Sequence, residues 1–253
     1  MNKIGSYLKC TSKDFPHFGV LVGDPGRIDL FIPELSNVRV LSEEREFKVV
    51  KGFYKDLPIA IASTGIGAAA AAIVVEELRA LGVYALVRAG TMLTLQASLG
   101  DLILAYGAVR LEGVSRTYIP IEFPAVADED LFYVFQKVLE EEKVSYKKGI
   151  VLSVDSFYTQ IFSRQDLSIS ENLLVENFIK YNVLGVDMET SAIYSIGKAL
   201  GIRCVSLCVG TVDKNRMTFT ENLPTRLERE KELVRLTLKG IYLFAHMKKE
   251  GER

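Results

Sequence analysis

Histidine is scarce in this sequence, and its scarcity limits the chemistry that the chain can support. Among the 253 residues there are two histidines, His17 and His246. A Ser-His-Asp triad or a histidine-rich zinc site would have to be built from these two residues. We therefore expect neither kind of site, and we expect no bound metal ion.

Cysteines, net charge and long apolar runs are also limited. The three cysteines are odd in number and form no CxxC pair, which argues against a disulfide framework. The formal net charge of −1 offers no attraction for nucleic acid or an anionic membrane. No apolar run reaches the length of a membrane span, and the N-terminus lacks the apolar core of a signal peptide. We therefore expect a cytoplasmic protein with no nucleic-acid or membrane partner.

Apolar strands alternate with amphipathic helices along the chain. The predicted strands cover residues 18–22, 45–54, 57–62, 84–87, 101–111, 149–154 and 203–209. The predicted helices cover residues 28–35, 66–81, 131–142, 172–181, 187–200 and 224–247, and residues 112–128 form a long loop. No linker or repeat marks a second domain. The pattern predicts one three-layer α/β/α domain over residues 1–253, with a mixed, largely parallel central sheet.

The stretch from Leu57 to Thr91 reads as a strand, a helix and a second strand. The helix has apolar residues at steps of three and four, namely Ile66, Ala70, Val74, Leu78 and Leu81. The second strand ends in Arg88-Ala89-Gly90-Thr91, at the edge where open α/β sheets bind ligands.

Residues 65–70, GIGAAA, fit a dinucleotide-binding fingerprint between a strand and a helix. The next strand should then end in an acidic residue that holds the ribose, but it ends in Arg88. An NADP site could use this arginine. We favour the alternative, in which the small residues allow close packing of the helix on the sheet.

Residues 23–27, GDPGR, join the first strand to a helix. Backbone N–H groups beside a helix start and the forked cation of Arg27 suit an oxyanion or a phosphate. A plain β-turn with a solvated arginine is the alternative. A second cationic, glycine-bearing turn at Arg88–Thr91 favours the anion site, because both turns lie at one edge of the sheet.

Residues 186–191, VDMETS, begin a predicted helix. Asp187 as the N-cap and Glu189 in the first turn would account for this segment structurally. In a functional alternative, the Glu189 carboxylate binds paired hydroxyls while Met188 packs on an apolar face of the ligand.

Taken together, these segments resemble the nucleoside phosphorylases of the uridine phosphorylase and hexameric purine nucleoside phosphorylase type. The resemblance runs from about Tyr7 to the last helix. Its motifs are GDPGR (23–27), SEEREF (42–47), ASTGIG (62–67), VRAGT (87–91), EFPAVAD (122–128), SVDSFY (153–158) and VDMETSA (186–192). In such enzymes orthophosphate attacks C1′ of a nucleoside and releases the free base and a pentose 1-phosphate.

The resemblance implies a phosphate site of five residues. Gly23, Arg27, Arg88 and Thr91 would hold the phosphate, and Arg45 would reach it from a neighbouring subunit. Orthophosphate is then a co-substrate and no cofactor is implied. The arginines would place the nucleophile beside an oxocarbenium-like transition state.

The resemblance also implies residues around the nucleoside. Met188 and Glu189 would hold the ribose, with Tyr7 replacing the usual histidine at its 5′ end, and Phe157 would line the base pocket. Two features depart from the family: Leu93 stands where a second glycine is usual, and the Gln and Arg that read uracil are absent after Tyr158.

The resemblance makes Asp213 the residue that bears on whether the substrate is a purine nucleoside or uridine. Purine-specific relatives carry an aspartate here that protonates N7 of the leaving base, so purine leads narrowly over uridine. An exposed loop aspartate is the alternative.

A phosphate-independent nucleosidase and a non-catalytic nucleoside-binding protein are the rival functions. The resemblance further implies a homo-oligomer in which a dimer is the minimal active unit, with a hexamer as a trimer of dimers.

Overall fold

The computed structural model describes residues 5–13, 15–161, 174–213 and 223–251. The strands are β1 (Phe18–Val22), β2 (Ser36–Glu44), β3 (Phe47–Tyr54), β4 (Leu57–Ser63), β5 (Ala85–Thr94), β6 (Leu102–Leu111), β7 (Ala125–Val126), β8 (Tyr146–Val154), β9 (Gly185–Asp187) and β10 (Arg203–Asp213). The α-helices are α1 (Ala68–Leu81), α2 (Glu129–Glu141), α3 (Leu174–Ile179), α4 (Thr190–Leu200) and α5 (Leu223–Gly251). None of the helices in these ranges is both long enough and apolar enough to cross a membrane.

All ten strands belong to one mixed sheet. Parallel pairs join β4, β1, β5 and β10 in that order, and further parallel pairs join β6, β8 and β9. Antiparallel pairs β10–β6 and β5–β9 connect these two groups, so that five strands close into a ring. The hairpin of β2 and β3 extends the other end of the sheet beside β4.

Helices cover both faces of the sheet. Leu78 of α1 and Tyr194 of α4 belong to the apolar core that contains Leu86 of β5. Phe135 of α2 belongs to a second core, which contains Val87 of the same strand. Because successive residues of a strand point to opposite faces, these two cores lie on opposite sides of the sheet. The prediction of an α/β fold with a mixed sheet between helices is confirmed.

Helix α1 begins later than the sequence pattern predicts. Gly65 and Gly67 have φ of +69° and +99°, in the region that favours glycine, so the chain turns through these residues before the helix starts. Ile66 consequently lies in the turn, with 78% of its surface exposed, and its place on the apolar face was wrongly predicted. Ala68 and Ala71 are buried instead, which agrees with close packing through small residues.

The predicted helix over residues 28–35 is wrong. Two short 3-10 helices, Pro25–Leu30 and Ile32–Glu34, occupy this segment, and β2 follows at once. Pro33 has no N–H to donate and disfavours the α conformation in the residue before it, which explains why no α-helix forms. The sequence did not predict β2, because most of its residues are exposed and show no apolar alternation.

Strand β5 continues past the point where the sequence predicts a turn. Its residues beyond Arg88 pair with β10 as far as Thr94 opposite Asp213, and with β9 through Leu93 opposite Val186. Arg88 is therefore in the middle of a strand, and the second glycine-bearing turn was wrongly predicted. Arg88 still lies level with the end of β1, because it pairs with Leu21.

Candidate active site

The first strand ends in a turn that is rigidly closed by its own residues. The Asp24 carboxylate accepts a hydrogen bond from Gly26 N at 2.8 Å, and Pro25 occupies the first position of the following 3-10 helix. Arg27 N donates to Asp24 O at 3.0 Å. This turn follows Gly23 and brings the Arg27 side chain back into the protein, where it is 7% exposed.

The guanidinium of Arg27 is buried with an unused donor. Nη2 lies 3.6 Å from Glu230 Oε1, a long ion pair. No group in the described ranges accepts a hydrogen bond from Nε. Burial lowers the pKa of Arg27, and the positive charge of Arg88 lowers it further. The negative charge of Glu230 opposes this shift. A buried donor without an acceptor costs free energy. An anion that accepted a hydrogen bond from Arg27 Nε would remove this cost.

Arg88, whose charge acts on Arg27, has two carboxylate partners of its own. Its Nε donates to Asp187 Oδ2 at 3.0 Å, and its Nη2 lies 2.7 Å from Glu189 Oε2. The side chain is 3% exposed. Burial alone would lower the pKa of Arg88, but the charges of Glu189 and Asp187 outweigh it and raise that pKa. Arg88 is therefore a permanent cation at the carboxyl edge of the sheet.

Glu189 is held between this cation and a backbone amide. Gly67 N, at the start of α1, donates to its Oε1 at 2.6 Å. Burial raises the pKa of the Glu189 carboxyl, Arg88 opposes the shift and Asp187 adds to it. Two acceptor oxygens, fixed by a cation and an amide, form a compact group that can accept hydrogen bonds from paired hydroxyls.

The contact of Asp187 with Arg88 was not predicted from the sequence. Asp187 ends strand β9 and α4 starts at Thr190, so the helix begins later than predicted. The predicted capping role is nevertheless present, because the Asp187 carboxylate accepts a hydrogen bond from Thr190 N at 3.2 Å. The preceding residues pair with β5 and β8, which keeps the chain extended up to Asp187. The spacing of two acidic residues, Asp187 and Glu189, directly after a buried apolar segment was the available signal.

Asp187 organises its neighbours through both carboxylate oxygens. Oδ1 accepts from Ser153 Oγ at 2.6 Å and from Glu189 N at 3.3 Å. Oδ2 accepts from Arg88 Nε and from the Thr190 hydroxyl. A single buried carboxylate thus fixes the Arg88 side chain and the backbone that carries Glu189.

An apolar wall adjoins these charged groups. Leu93, Phe157 and Met188 belong to one apolar cluster, together with Val212 near the end of β10. Leu93 is 2% exposed, whereas Phe157 and Met188 are half-buried. The cluster gives the site an apolar side of the kind that planar bases pack against.

Two further predicted residues lie on the strands that frame this site. Thr91 is half-buried on β5, opposite Val209 of β10. Asp213 is the last residue of β10 and pairs with Thr94 at the end of β5. Both therefore lie on the extended part of β5 and its partner, beyond Arg88.

Arg45 and Tyr7 lie together and are both exposed. Arg45 was predicted within a strand, but it is an exposed residue in the turn between β2 and β3, with φ of +56°. The strand prediction failed there because Glu44 and Phe47 pair directly, which leaves Arg45 in the tip of the hairpin. Its guanidinium carbon lies 6.0 Å from the centre of the Tyr7 ring, and Tyr7 is 44% exposed.

Comparison with known proteins identifies the family. The sequence model of the phosphorylase superfamily matches residues 17–239 of this chain. The chain is 33% identical to the uridine phosphorylase of Thermococcus kodakarensis, over 98% of this chain and 89% of that protein. It is 34% identical to the purine nucleoside phosphorylase of Plasmodium vivax, over 88% and 90% respectively. The crystal structure of uridine phosphorylase from Vibrio fischeri superimposes with a TM-score of 0.85, at 32% identity, over 94% of this chain and 97% of that one. By this match across most of its length, the protein belongs to the phosphorylase superfamily.

Proposed function

We propose that the protein is a nucleoside phosphorylase, a pentosyltransferase that converts a nucleoside and orthophosphate into a free base and a pentose 1-phosphate. A phosphate oxygen forms a bond to C1′ as the C1′–N bond breaks. The electron pair of that bond leaves with the base, which takes up a proton. The observation that carries the proposal is the contact of 2.7 Å between Arg88 and Glu189, which joins an anion site to a hydroxyl site.

The phosphate would bind to Gly23, Arg27, Arg88 and Thr91, with Arg45 supplied by a neighbouring subunit. The buried Arg27 with its unused Nε and the cationic Arg88 support this assignment. A dianion held by two buried arginines lies beside C1′ and offsets the positive charge that develops on the sugar. Fixed arginines also align the attacking oxygen, so that they contribute by positioning.

The ribose would bind to Met188 and Glu189, with Tyr7 of a neighbour at the 5′ end. The Glu189 carboxylate would accept hydrogen bonds from the 2′- and 3′-hydroxyls. These hydroxyls compete with Arg88 for the same oxygen, Oε2. Binding of the sugar would therefore release one N–H of Arg88 towards the phosphate.

The base would lie on the apolar wall of Leu93 and Phe157, and we propose purine nucleosides as the preferred substrates. Asp213 would then act as the acid for N7 of the leaving base. The hydrogen bonds of Gln160 also favour a purine substrate. Its Oε1 accepts from Ser156 N at 2.6 Å, and its Nε2 donates to Leu111 O at 3.4 Å. That amide is used within the protein rather than for reading uracil. Residues 162–173, where the absence of the uracil-reading Arg was also predicted, lie outside the described residues.

Uridine remains the rival substrate, since relatives of both kinds match at similar identity. A screen of inosine, guanosine, adenosine, uridine and methylthioadenosine, each with and without phosphate, tests the proposal. Phosphate-dependent release of a purine base is expected. Faster phosphorolysis of uridine would replace the purine assignment, and binding without base release would favour a non-catalytic relative.

We also propose that the active unit is a homodimer, with a hexamer built as a trimer of dimers. The edge strand β2 carries the adjacent apolar residues Val40 and Leu41, which are 56% and 37% exposed. Exposed apolar residues on an edge strand favour contact with a second copy of the chain. Arg45 lies at the tip of the same hairpin. We further propose a single domain over residues 1–253, a cytoplasmic location, no cofactor or metal, and no nucleic-acid or membrane partner.

A further inference from the structure

The N-terminal segment is fastened to helix α1 by one carboxylate. Glu77 Oε1 accepts a hydrogen bond from Tyr7 N, and Oε2 accepts one from Leu8 N, each at 2.8 Å. The segment also closes on itself through Gly5 N and Cys10 O at 3.0 Å. A Cβ at Gly5 would lie 2.4 Å from Glu77 Oε2. Glycine at this position therefore lets the segment pack closely against the carboxylate.

This attachment fixes the backbone of Tyr7 and leaves its ring at the surface. The ring packs edge-on against Phe47 with centroids 6.4 Å apart. Phe47 is buried and is the first residue of β3. The Tyr7 ring is thus held from its backbone side by Glu77 and from one edge by Phe47.

Arg45 lies over this ring, two residues before Phe47. The distance of 6.0 Å from its guanidinium carbon to the ring centre is within the range of a cation–π contact. An exposed arginine on a turn has many side-chain conformations, and ordering it on binding costs entropy. A fixed aromatic ring reduces that cost before any anion arrives.

We propose that Tyr7 and Glu77 are positioning residues that hold the Arg45 guanidinium ready for the phosphate of the neighbouring subunit. The inference rests on the proposed function, in which Arg45 reaches that phosphate. It assigns Tyr7 a role through its ring, on the phosphate side. The role at the 5′ end of the sugar, in contrast, depends on the Tyr7 hydroxyl. Glu77 contacts neither substrate and acts through the backbone of Tyr7.

The two roles of Tyr7 affect different Michaelis constants. The role of the ring affects the KM for phosphate, and the role of the hydroxyl affects the KM for the nucleoside. Tyr7→Leu removes the ring, and we expect the KM for phosphate to rise roughly three- to fivefold, the size of an exposed cation–π contact. Tyr7→Phe keeps the ring, and we expect its KM for phosphate to match that of the unchanged protein. Glu77→Gln should raise the KM for phosphate in the same direction and speed hydrogen exchange at the amides of Tyr7 and Leu8. Glu76→Gln is the matched control, because that carboxylate faces Tyr118.

The same measurements include results that overturn the inference. A Tyr7→Leu variant that changes the KM for the nucleoside alone would show that Tyr7 acts only at the sugar. Unchanged hydrogen exchange in Glu77→Gln would show that Glu77 does not hold the segment. Arg45→Ala separates this inference from the proposed function. If Arg45→Ala leaves the KM for phosphate unchanged, the shared phosphate site itself is wrong. If it raises that KM while Tyr7→Leu and Glu77→Gln do not, only the positioning role is wrong.

Discussion

Arg88 and Glu189 form a buried ion pair of 2.7 Å that links the proposed phosphate site to the proposed ribose site. The two residues are 101 positions apart in the sequence, and β5 and the start of α4 bring them together. In the proposed function one partner binds phosphate and the other binds ribose. Each substrate therefore binds next to the residue that holds the other, and the ion pair couples the two binding events.

Arg88→Ala should lower kcat/KM by one to two orders of magnitude and raise the KM for phosphate. The loss corresponds to a charge-assisted contact of roughly 1.5–3 kcal/mol. The substitution also leaves Asp187 and Glu189 without their cation, which should reduce the free energy of unfolding by about 3–5 kcal/mol. Phosphate titrations and thermal unfolding measure the two effects. Arg88→Lys is the control that keeps the charge, and a normal KM for phosphate in folded Arg88→Ala would refute the assignment.

Glu189→Gln should affect ribonucleosides much more than 2′-deoxyribonucleosides. In the proposed site the carboxylate accepts hydrogen bonds from the paired 2′- and 3′-hydroxyls, and a deoxyribonucleoside offers only one of them. The two substrates of one base serve as internal controls for folding and for phosphate binding. An equal loss of kcat/KM on both would show that Glu189 is only a residue at the start of a helix.

The same carboxylate should make the discrimination between these substrates depend on pH. Burial raises the pKa of Glu189 above its ordinary value of 4.5. A carboxyl is ionised only above its pKa, so the proposed ribose contact is lost as the pH falls through the raised pKa of Glu189. The ratio of kcat/KM for ribo- over deoxyribonucleoside should fall on acidification and stay flat in Glu189→Gln. A flat ratio in the unchanged protein would contradict this role.

The sequence was informative for residues whose position depends on their neighbours in the chain. Gly23, Arg27 and Arg88 could be placed at one edge of the sheet because apolar runs mark the strands that precede them. The extension of β5 could not be predicted, because its partners β9 and β10 come from distant parts of the chain. The same reason hid Asp187, whose role depends on contacts with Ser153 and Arg88. Local pattern predicted the helix cap, which the hydrogen bond from Thr190 N confirms, but not the contact with Arg88.

Asp187→Asn should weaken phosphate binding more than nucleoside binding. The amide keeps the shape of the side chain but loses the charge that fixes Arg88 Nε. We expect a KM for phosphate raised several-fold and a free energy of unfolding reduced by about 1–3 kcal/mol, since Glu189 still pairs with Arg88. Ser153→Ala is a useful comparison, because it removes a neutral partner of the same carboxylate. A loss of stability with both Michaelis constants unchanged would make Asp187 purely structural.

Mixing two impaired variants should restore part of the activity if each site is shared between subunits. In a mixed dimer of Arg45→Ala and Arg88→Ala, one site carries both lesions and the other carries neither. The mixture should therefore regain activity under conditions that allow subunits to exchange. Hetero-oligomers that form, as shown by native mass spectrometry, and yet stay as inactive as their parents would rule out the shared site.

In the proposed function, phosphate binds at Arg27 and Arg88 and is the nucleophile. The most direct measurement follows a purine nucleoside with orthophosphate by ³¹P NMR while the free base is quantified in parallel. We expect one pentose 1-phosphate for each base released, and no release of base when phosphate is omitted. Base released at the same rate without phosphate, with free pentose as the product, would contradict it and identify a hydrolase.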